Sequence, residues 1–374
     1  MTDGLGVGLE PGPEPGHWWR RPPWPRTLAV LKFLVGLGLA AVALIVVLGQ
    51  KGELADASDY LAHLRSGWVA VAAASELAAI VAFAGLQGRL LRSGRVRPGM
   101  VALTGITLAG NSINNSLPAG PAFASLFAFR QFRRRGADDA LAGWTIFATT
   151  VLAGLALALL AAVGLAASGP EAGANLIGVA GAILGALALA VAVTVLLPRP
   201  GPVRVVVDLT VRLTQLVARW PKEDRAGVVD QAMARLVSVS PTPGSLAAAL
   251  GWALGNWCLD CGCLVAAFLA VGAPVPWRGL LLAYGAGQLA ANLPITPGGL
   301  GVVEGSLTIA LVAFGGAKSS TVAAVLLYRI VSFWASLPVG WATWGAFMAL
   351  ARRQDRREAP ADPVRSDSVG EVVA

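Results

Sequence analysis

The sequence predicts an all-α polytopic membrane protein with six full spans and two re-entrant helical hairpins arranged as an inverted repeat. Three observations carry this expectation. Of 374 residues 56% are hydrophobic and 13% charged, with mean hydropathy +0.66, whereas soluble domains carry about 25% charged residues. Apolar runs recur at the roughly 20-residue length that crosses a hydrocarbon core. Two further apolar stretches are interrupted by Asn, Pro and Gly, leaving halves too short for a comfortable span.

Residues 1–26 are rich in Gly and Pro and show no periodic apolar face, which predicts a disordered cytoplasmic tail. Residues 27–49 form the first span. The run is longer than the core of a signal peptide and lacks a small-x-small cleavage site, so it reads as an anchor. Trp18, Trp19 and Trp24 beside Arg20, Arg21 and Arg26 suit an interfacial belt. Five more spans are expected at residues 68–91, 141–167, 176–197, 245–271 and 321–350. The interrupted stretches are residues 100–129, broken at 114–120, and residues 280–315, broken at 292–301.

Basic residues orient these elements, because Lys and Arg collect on the cytoplasmic side. Arg89, Arg92, Arg95 and Arg97 precede the first interrupted stretch, and Arg130, Arg133, Arg134 and Arg135 follow it. Both of its ends therefore belong to the cytoplasm, and the chain must turn back within the membrane. The second stretch has nearly bare flanks, Arg278 and Lys318, while Arg352, Arg353, Arg356 and Arg357 come only after the last span. It is expected to enter from outside, with both termini cytoplasmic in a multi-pass cell-membrane protein. Residues 27–351 make up the membrane domain, residues 352–374 a second cytoplasmic tail. Within that domain, residues 27–167 and 176–351 run span, span, hairpin, span in opposite senses. Gly136-Ala137 matches Gly316-Ala317, each after a Leu-Pro break. Inverted repeats with helices broken near mid-membrane are how many secondary transporters build a site reachable from either side.

A net charge of +8 would suit nucleic acid, but the basic residues lie in short clusters between apolar runs, so no nucleic-acid partner is expected. Cys258, Cys261 and Cys263 share one apolar run and imply no disulfide framework; without a second ligand cluster they imply no metal site either. No His-based constellation or nucleotide loop appears, so neither an enzyme nor a cofactor is expected. Residues 201–240 include a polar stripe, Arg204, Asp208, Arg212, Gln215 and Arg219, opposite Val206, Leu209, Leu213, Leu216 and Trp220. This predicts an amphipathic cytoplasmic segment, resting on the interface or docked on a partner.

The polar residues left inside the membrane are the candidate site. Asp260, Glu304 and Arg329 each cost about 2.5–3.5 kcal/mol to insert at a helix centre, so each needs a partner. Glu304 lies 12 residues before Gly316 and Arg329 lies 13 after it. Two antiparallel helices would bring both to one depth, which predicts an ion pair. That pair either locks hairpin to span or lets Arg329 alternate with a lipid phosphate. The first half has Ala124 and Thr149 at the corresponding positions, without charge. Gly298, Gly299 and Gly301 permit a backbone nest at a helix N-terminus, where an anion is stabilised. The competing reading is a tight turn sealed by protein. Asn111, Asn114, Asn115, Asn256, Gln288 and Asn292 either line a route or serve as interhelical glue.

Residues 114–120, Asn-Asn-Ser-Leu-Pro-Ala-Gly, and residues 294–304, Pro-Ile-Thr-Pro-Gly-Gly-Leu-Gly-Val-Val-Glu, followed by Tyr328-Arg329, resemble the lysylphosphatidylglycerol synthase transmembrane, flippase-like domain family. The Pro-x-x-Pro-Gly-Gly-x-Gly-x-x-Glu signature is the more specific part. The resemblance implies translocation of a phospholipid or lipid-linked substrate between leaflets, with an anionic membrane lipid as substrate and self-association left open. The substrate candidates are then Asn114, Asn115, Pro118, Asn292, Thr296, Gly298, Gly299, Gly301, Glu304 and Arg329, with Asp260 and Gln288 as further intramembrane polar residues. Two departures stand out. Phe123 and Ala124 occupy the region where the family often has an acid, and no soluble aminoacyl-transferase domain accompanies the membrane region, so lysyl transfer is not expected. The alternatives are a secondary transporter for a small anionic solute and, third, a membrane-embedded transferase.

Overall fold

The computed structural model describes residues 60, 62–117, 120–168, 242–291 and 297–358. The expected spans at 27–49 and 176–197, both tails, the amphipathic segment at 201–240, and Pro118, Asn292 and Thr296 lie outside the described residues.

Every described element is helical: α1 (Ser66–Ser93), α2 (Met100–Ser116), α3 (Gly120–Arg133), α4 (Asp139–Ala167), α5 (Pro243–Val271), α6 (Trp277–Ala291), a 3₁₀ turn (Pro297–Gly299), α7 (Val302–Ala313), α8 (Lys318–Arg329), a π-helical segment (Ile330–Trp334) and α9 (Ser336–Glu358). Four are long and apolar enough to cross a membrane: α1, α4, α5 and the continuous rod Lys318–Arg353. These match the expected spans at 68–91, 141–167, 245–271 and 321–350. The two interrupted stretches appear as the short-helix pairs α2/α3 and α6/α7, and the members of each pair pack against each other.

Local chemistry sets the ends. Asp138 accepts the Leu141 N–H at 2.8 Å to start α4. Thr242 accepts that of Ser245 at 3.2 Å to start α5, with Pro243 at its first position. Gly272 closes α5 in the left-handed region, at φ 78°. The arginine-rich turns after α1 and α3 are tight. Val96 donates to the Leu91 carbonyl and Ala137 to that of Phe132, while Arg133 pairs with Asp139.

The turn between α3 and α4 has a counterpart between α7 and α8. Gly136 (φ 93°) precedes Ala137, whose N–H returns to Phe132; Gly315 (φ 94°) precedes Gly316, whose N–H returns to Leu311. Gly136 thus corresponds to Gly315, one residue earlier than the match of Gly136-Ala137 with Gly316-Ala317. Counted from that turn, the first-half positions numbered like Glu304 and Arg329 are Ser125 and Thr150 instead of Ala124 and Thr149, again without charge.

Small residues let the long helices approach closely, which is how helices associate where lipid removes the hydrophobic drive. α1 and α5 run antiparallel along their length. Arg65 N–H donates to the Ala270 carbonyl at 3.0 Å, Ser75 Oγ to Leu259 at 2.7 Å, and the Asn256 amide to Ala79 at 3.0 Å. Of the two roles open to Asn256, it fills that of interhelical glue. A Cβ on Gly85 would lie 2.7 Å from the Trp252 ring. α4 packs on α6, where a Cβ on Gly164 would lie 2.5 Å from the Leu282 nitrogen; α9 packs on α2, where one on Gly340 would lie 2.3 Å from the Leu108 carbonyl.

Two apolar cores flank the α1–α5 contact. One gathers Leu264, Phe268, Tyr284, Leu307 and Tyr328; the other gathers Leu86, Leu90, Leu103, Ile106, Phe132 and Leu141.

Candidate functional site

Three left-handed glycines lead into α7 at residues 297–301. Gly298, Gly299 and Gly301 have φ of 63°, 67° and 79°, a region that a Cβ disfavours. The side faces of the first two glycines meet protein. A Cβ on Gly298 would lie 2.3 Å from the Phe333 ring, and one on Gly299 would lie 2.9 Å from Val303 Cγ2.

α7 begins directly after this turn. Glu304, in its first turn, folds back so that Oε2 accepts the Gly301 N–H at 2.7 Å, the carboxylate half of a capping box. The positive end of the helix therefore already holds an anion supplied by the chain. The other oxygen, Oε1, accepts from Arg329 Nε at 2.6 Å, and Arg329 Nη2 donates to the Gly298 carbonyl at 3.0 Å. The expected ion pair forms, with the side chains 9% and 16% exposed for Arg329 and Glu304. The guanidinium also lies 4.4 Å from the centre of the Phe333 ring, a cation–π contact.

Phe333 reaches this position because the rod α8–α9 widens at Ile330–Trp334, where Ala335 N–H bonds to the Ile330 carbonyl five residues back. Pro338 follows and has no N–H to continue the ladder. Ser112 Oγ on α2 donates to the carbonyls of Ser336 and Leu337 at 3.2 and 3.0 Å.

The end of α2 meets the glycine turn. A Cβ on Gly298 would stand 3.2 Å from the Asn115 carbonyl oxygen. The Asn114 amide donates to Asn115 Oδ1 at 3.2 Å, and Trp341 Nε1 donates to Ser116 Oγ at 3.1 Å. Asn114, Asn115, Gly298, Gly299, Gly301, Glu304 and Arg329 thus belong to one neighbourhood where the two interrupted stretches touch.

Asp260 and Gln288 lie in a second polar cluster. Asp260 accepts from the Tyr284 hydroxyl, from Tyr328 Oη at 3.0 Å and from Gln288 Nε2 at 3.1 Å, and Gln288 also donates to Tyr328 Oη at 2.9 Å. The α1–α5 packing, with Ser75 bonded to the Leu259 carbonyl, sets the Glu76 carboxyl on α1 beside that of Asp260. Its Oε2 is buried without a partner among the described residues. Tyr328 and Arg329, neighbours in the chain, connect the two clusters.

Sequence reasoning did not single out Glu76, Tyr284 or Phe333. For Glu76 the signal was present, an acid inside the apolar run 68–91. Cys258, Cys261 and Cys263 are free thiols, the latter two buried, and no grouping of three His, Cys, Asp or Glu suited to a metal occurs among the described residues. In the turn after α3, burial and then the charge of Arg134 lower the pKa of Arg135, which stacks 5.1 Å over the Phe347 ring.

A UPF0104 membrane protein of Methanothermobacter thermautotrophicus is 39% identical over 87 residues, 23% of this chain and 25% of that relative. The alignment therefore spans about a quarter of the relative's length. The family profile described as lysylphosphatidylglycerol synthase TM region matches residues 30–340. The chain, a multi-pass membrane protein, belongs to that family.

Proposed function

We propose that this protein moves an anionic phospholipid or lipid-linked substrate between membrane leaflets, with α2/α3 and α6/α7 as re-entrant hairpins whose tips frame the substrate site. The observation that carries the reading is the meeting of the end of α2 with the glycine turn that Arg329 holds. Irregular backbone at membrane depth is tolerated where it is buried in protein or lines a cavity, and here it converges on a cation. Arg329 holds Glu304 and the Gly298 carbonyl by separate nitrogens, so a phosphate exchanging with the Gly298 carbonyl would leave the Glu304 contact intact. Ile330 and Trp334 beside it are exposed, an apolar flank that suits acyl chains better than a water-soluble anion.

The packing of the described helices supports an inverted repeat of the halves 27–167 and 176–351. α1 and α5, in equivalent places of the two halves, pack antiparallel. α4 crosses the first helix of the second hairpin as α9 crosses that of the first. Such exchange symmetry is what a two-fold axis in the membrane plane produces. Both termini are cytoplasmic in this arrangement, and the membrane domain is not itself catalytic.

The test is reconstitution into vesicles bearing a fluorescent anionic phospholipid in both leaflets, treated with an impermeant quencher. Protein-containing vesicles are expected to lose nearly all of the label and protein-free vesicles about half, with Arg329→Lys slowing the loss. Equal loss with and without protein at every protein density would overturn the reading.

A further inference from the structure

Asp260 sits near the middle of α5 and Glu76 in the interior of α1, and the two carboxyls lie side by side across the α1–α5 interface. Ser75 and Asn256 bond the two backbones together on either side of the pair, so the carboxyls cannot simply drift apart. Two carboxyl groups held side by side away from water hold one proton between them, because two adjacent buried negative charges repel. Asp260 is enclosed by donors: the hydroxyls of Tyr284 and Tyr328 and the amide of Gln288. Glu76 keeps one oxygen that is buried and without a partner among the described residues. Intramembrane acids are costly, and proton relays are one of the few uses that justify them.

We infer that Glu76 and Asp260 form an exchangeable proton site in mid-membrane, coupled to the substrate site through Tyr328 and Arg329. With one proton the pair is a carboxylic acid donating to a carboxylate; releasing that proton to water leaves two carboxylates, and the second negative charge must draw on the donors around it. The groups facing the pair are Cys261 and Cys263 on α5 with Asp260, Tyr284 and Gln288 on α6, and Tyr328 and Arg329 on α8. Of these only Arg329 carries a positive charge, and it is the chain neighbour of Tyr328, which bonds Asp260. Tyr328 bonds Asp260 and Arg329 bonds Glu304 from consecutive positions at the end of α8, just before the helix widens at Ile330. A change of charge at the pair therefore pulls on the same helical turn that holds Arg329. The coupling half of this inference rests on the lipid reading above; the proton site does not.

Two readouts separate them. Infrared difference spectra of the purified protein across pH should show a carboxylic-acid carbonyl band that titrates and shifts in D₂O, and that is lost in both Glu76→Gln and Asp260→Asn. Binding of a short-chain anionic phospholipid should change by about five- to tenfold between the two protonation states. Tyr328→Phe should keep the band and lose most of that pH response. A band that neither titrates nor exchanges, or a Tyr328→Phe variant with the full pH response, would overturn the inference. So would an effect that follows sodium when choline replaces it at fixed pH. If the band titrates and binding follows it while vesicles show no leaflet exchange, the translocation reading fails and the proton site stands.

Discussion

Exchanging Glu304 and Arg329 places the same two charges in the same two positions, yet the geometry makes the exchanged protein less stable. Glu304 does two jobs that an arginine cannot do: it accepts the Gly301 N–H at 2.7 Å and it lies at the positive end of α7. Arg329 donates to the Gly298 carbonyl at 3.0 Å, which a carboxylate cannot do. Losing the cap costs about 1 kcal/mol, a cation at a helix N-terminus about 0.3–1 kcal/mol, and a hydrogen bond from a charged group about 1.5–3 kcal/mol. Together these disfavour the exchange by about 3–5 kcal/mol even if the pair re-forms. Glu304→Gln keeps an acceptor for the cap but leaves a buried cation without its partner, a loss of about 3–5 kcal/mol. Removing both charges, as Glu304→Gln with Arg329→Met, should cost less than that single change. Thermal melts in detergent, followed by tryptophan fluorescence, should rank wild type first and the neutral pair second, with both Glu304→Gln and the exchange below. An exchanged protein that melts with the wild type would refute the asymmetry, and would mean that the pair is a simple charge contact.

Gly298→Ala should destabilise more than Gly299→Ala, since both force a Cβ into left-handed backbone at about 1–2 kcal/mol but only the first drives it into an aromatic ring; comparative melts decide. Gly164→Ala pushes a methyl against the Leu282 backbone and should cost about 1–3 kcal/mol without altering lipid binding measured on the folded fraction. Single cysteines at Ser58 and Gly173 should react with an impermeant reagent from outside, and those at Gly94 and Ser240 only from the cytoplasm; labelling of Gly94 from outside would remove the expected topology.

The long helices were legible because length and hydropathy are local properties: α1, α4, α5 and the rod through α8 and α9 begin and end within a few residues of the runs that predict them. The Glu304–Arg329 pair was legible for the same reason, because a hairpin of known rise fixes depth by counting. What escaped depends on tertiary placement. Nothing near Glu76 in the sequence announces Asp260, some 180 residues away, since their contact exists only because α1 and α5 pack antiparallel. The glycines at 298, 299 and 301 predict left-handed backbone, and it is there, but not that Phe333 and Val303 fill the space a side chain would take. Nor does an apolar run from 321 to 350 reveal a π-helical segment. Pro338 is the local cue, and its effect appears several residues earlier in the chain.

The widened turn sets the phase of the rod that contains it. Upstream, Tyr328 and Arg329 face the second interrupted stretch; downstream, Ser336 and Gly340 face α2 of the first. A turn closed by a five-residue step holds one residue more than an α-helical turn, equivalent to about 100° of rotation. Deleting one residue between 330 and 334 would keep the rod helical and apolar while swinging Gly340 away from Ser112. A single continuous helix would then no longer serve both hairpins at once.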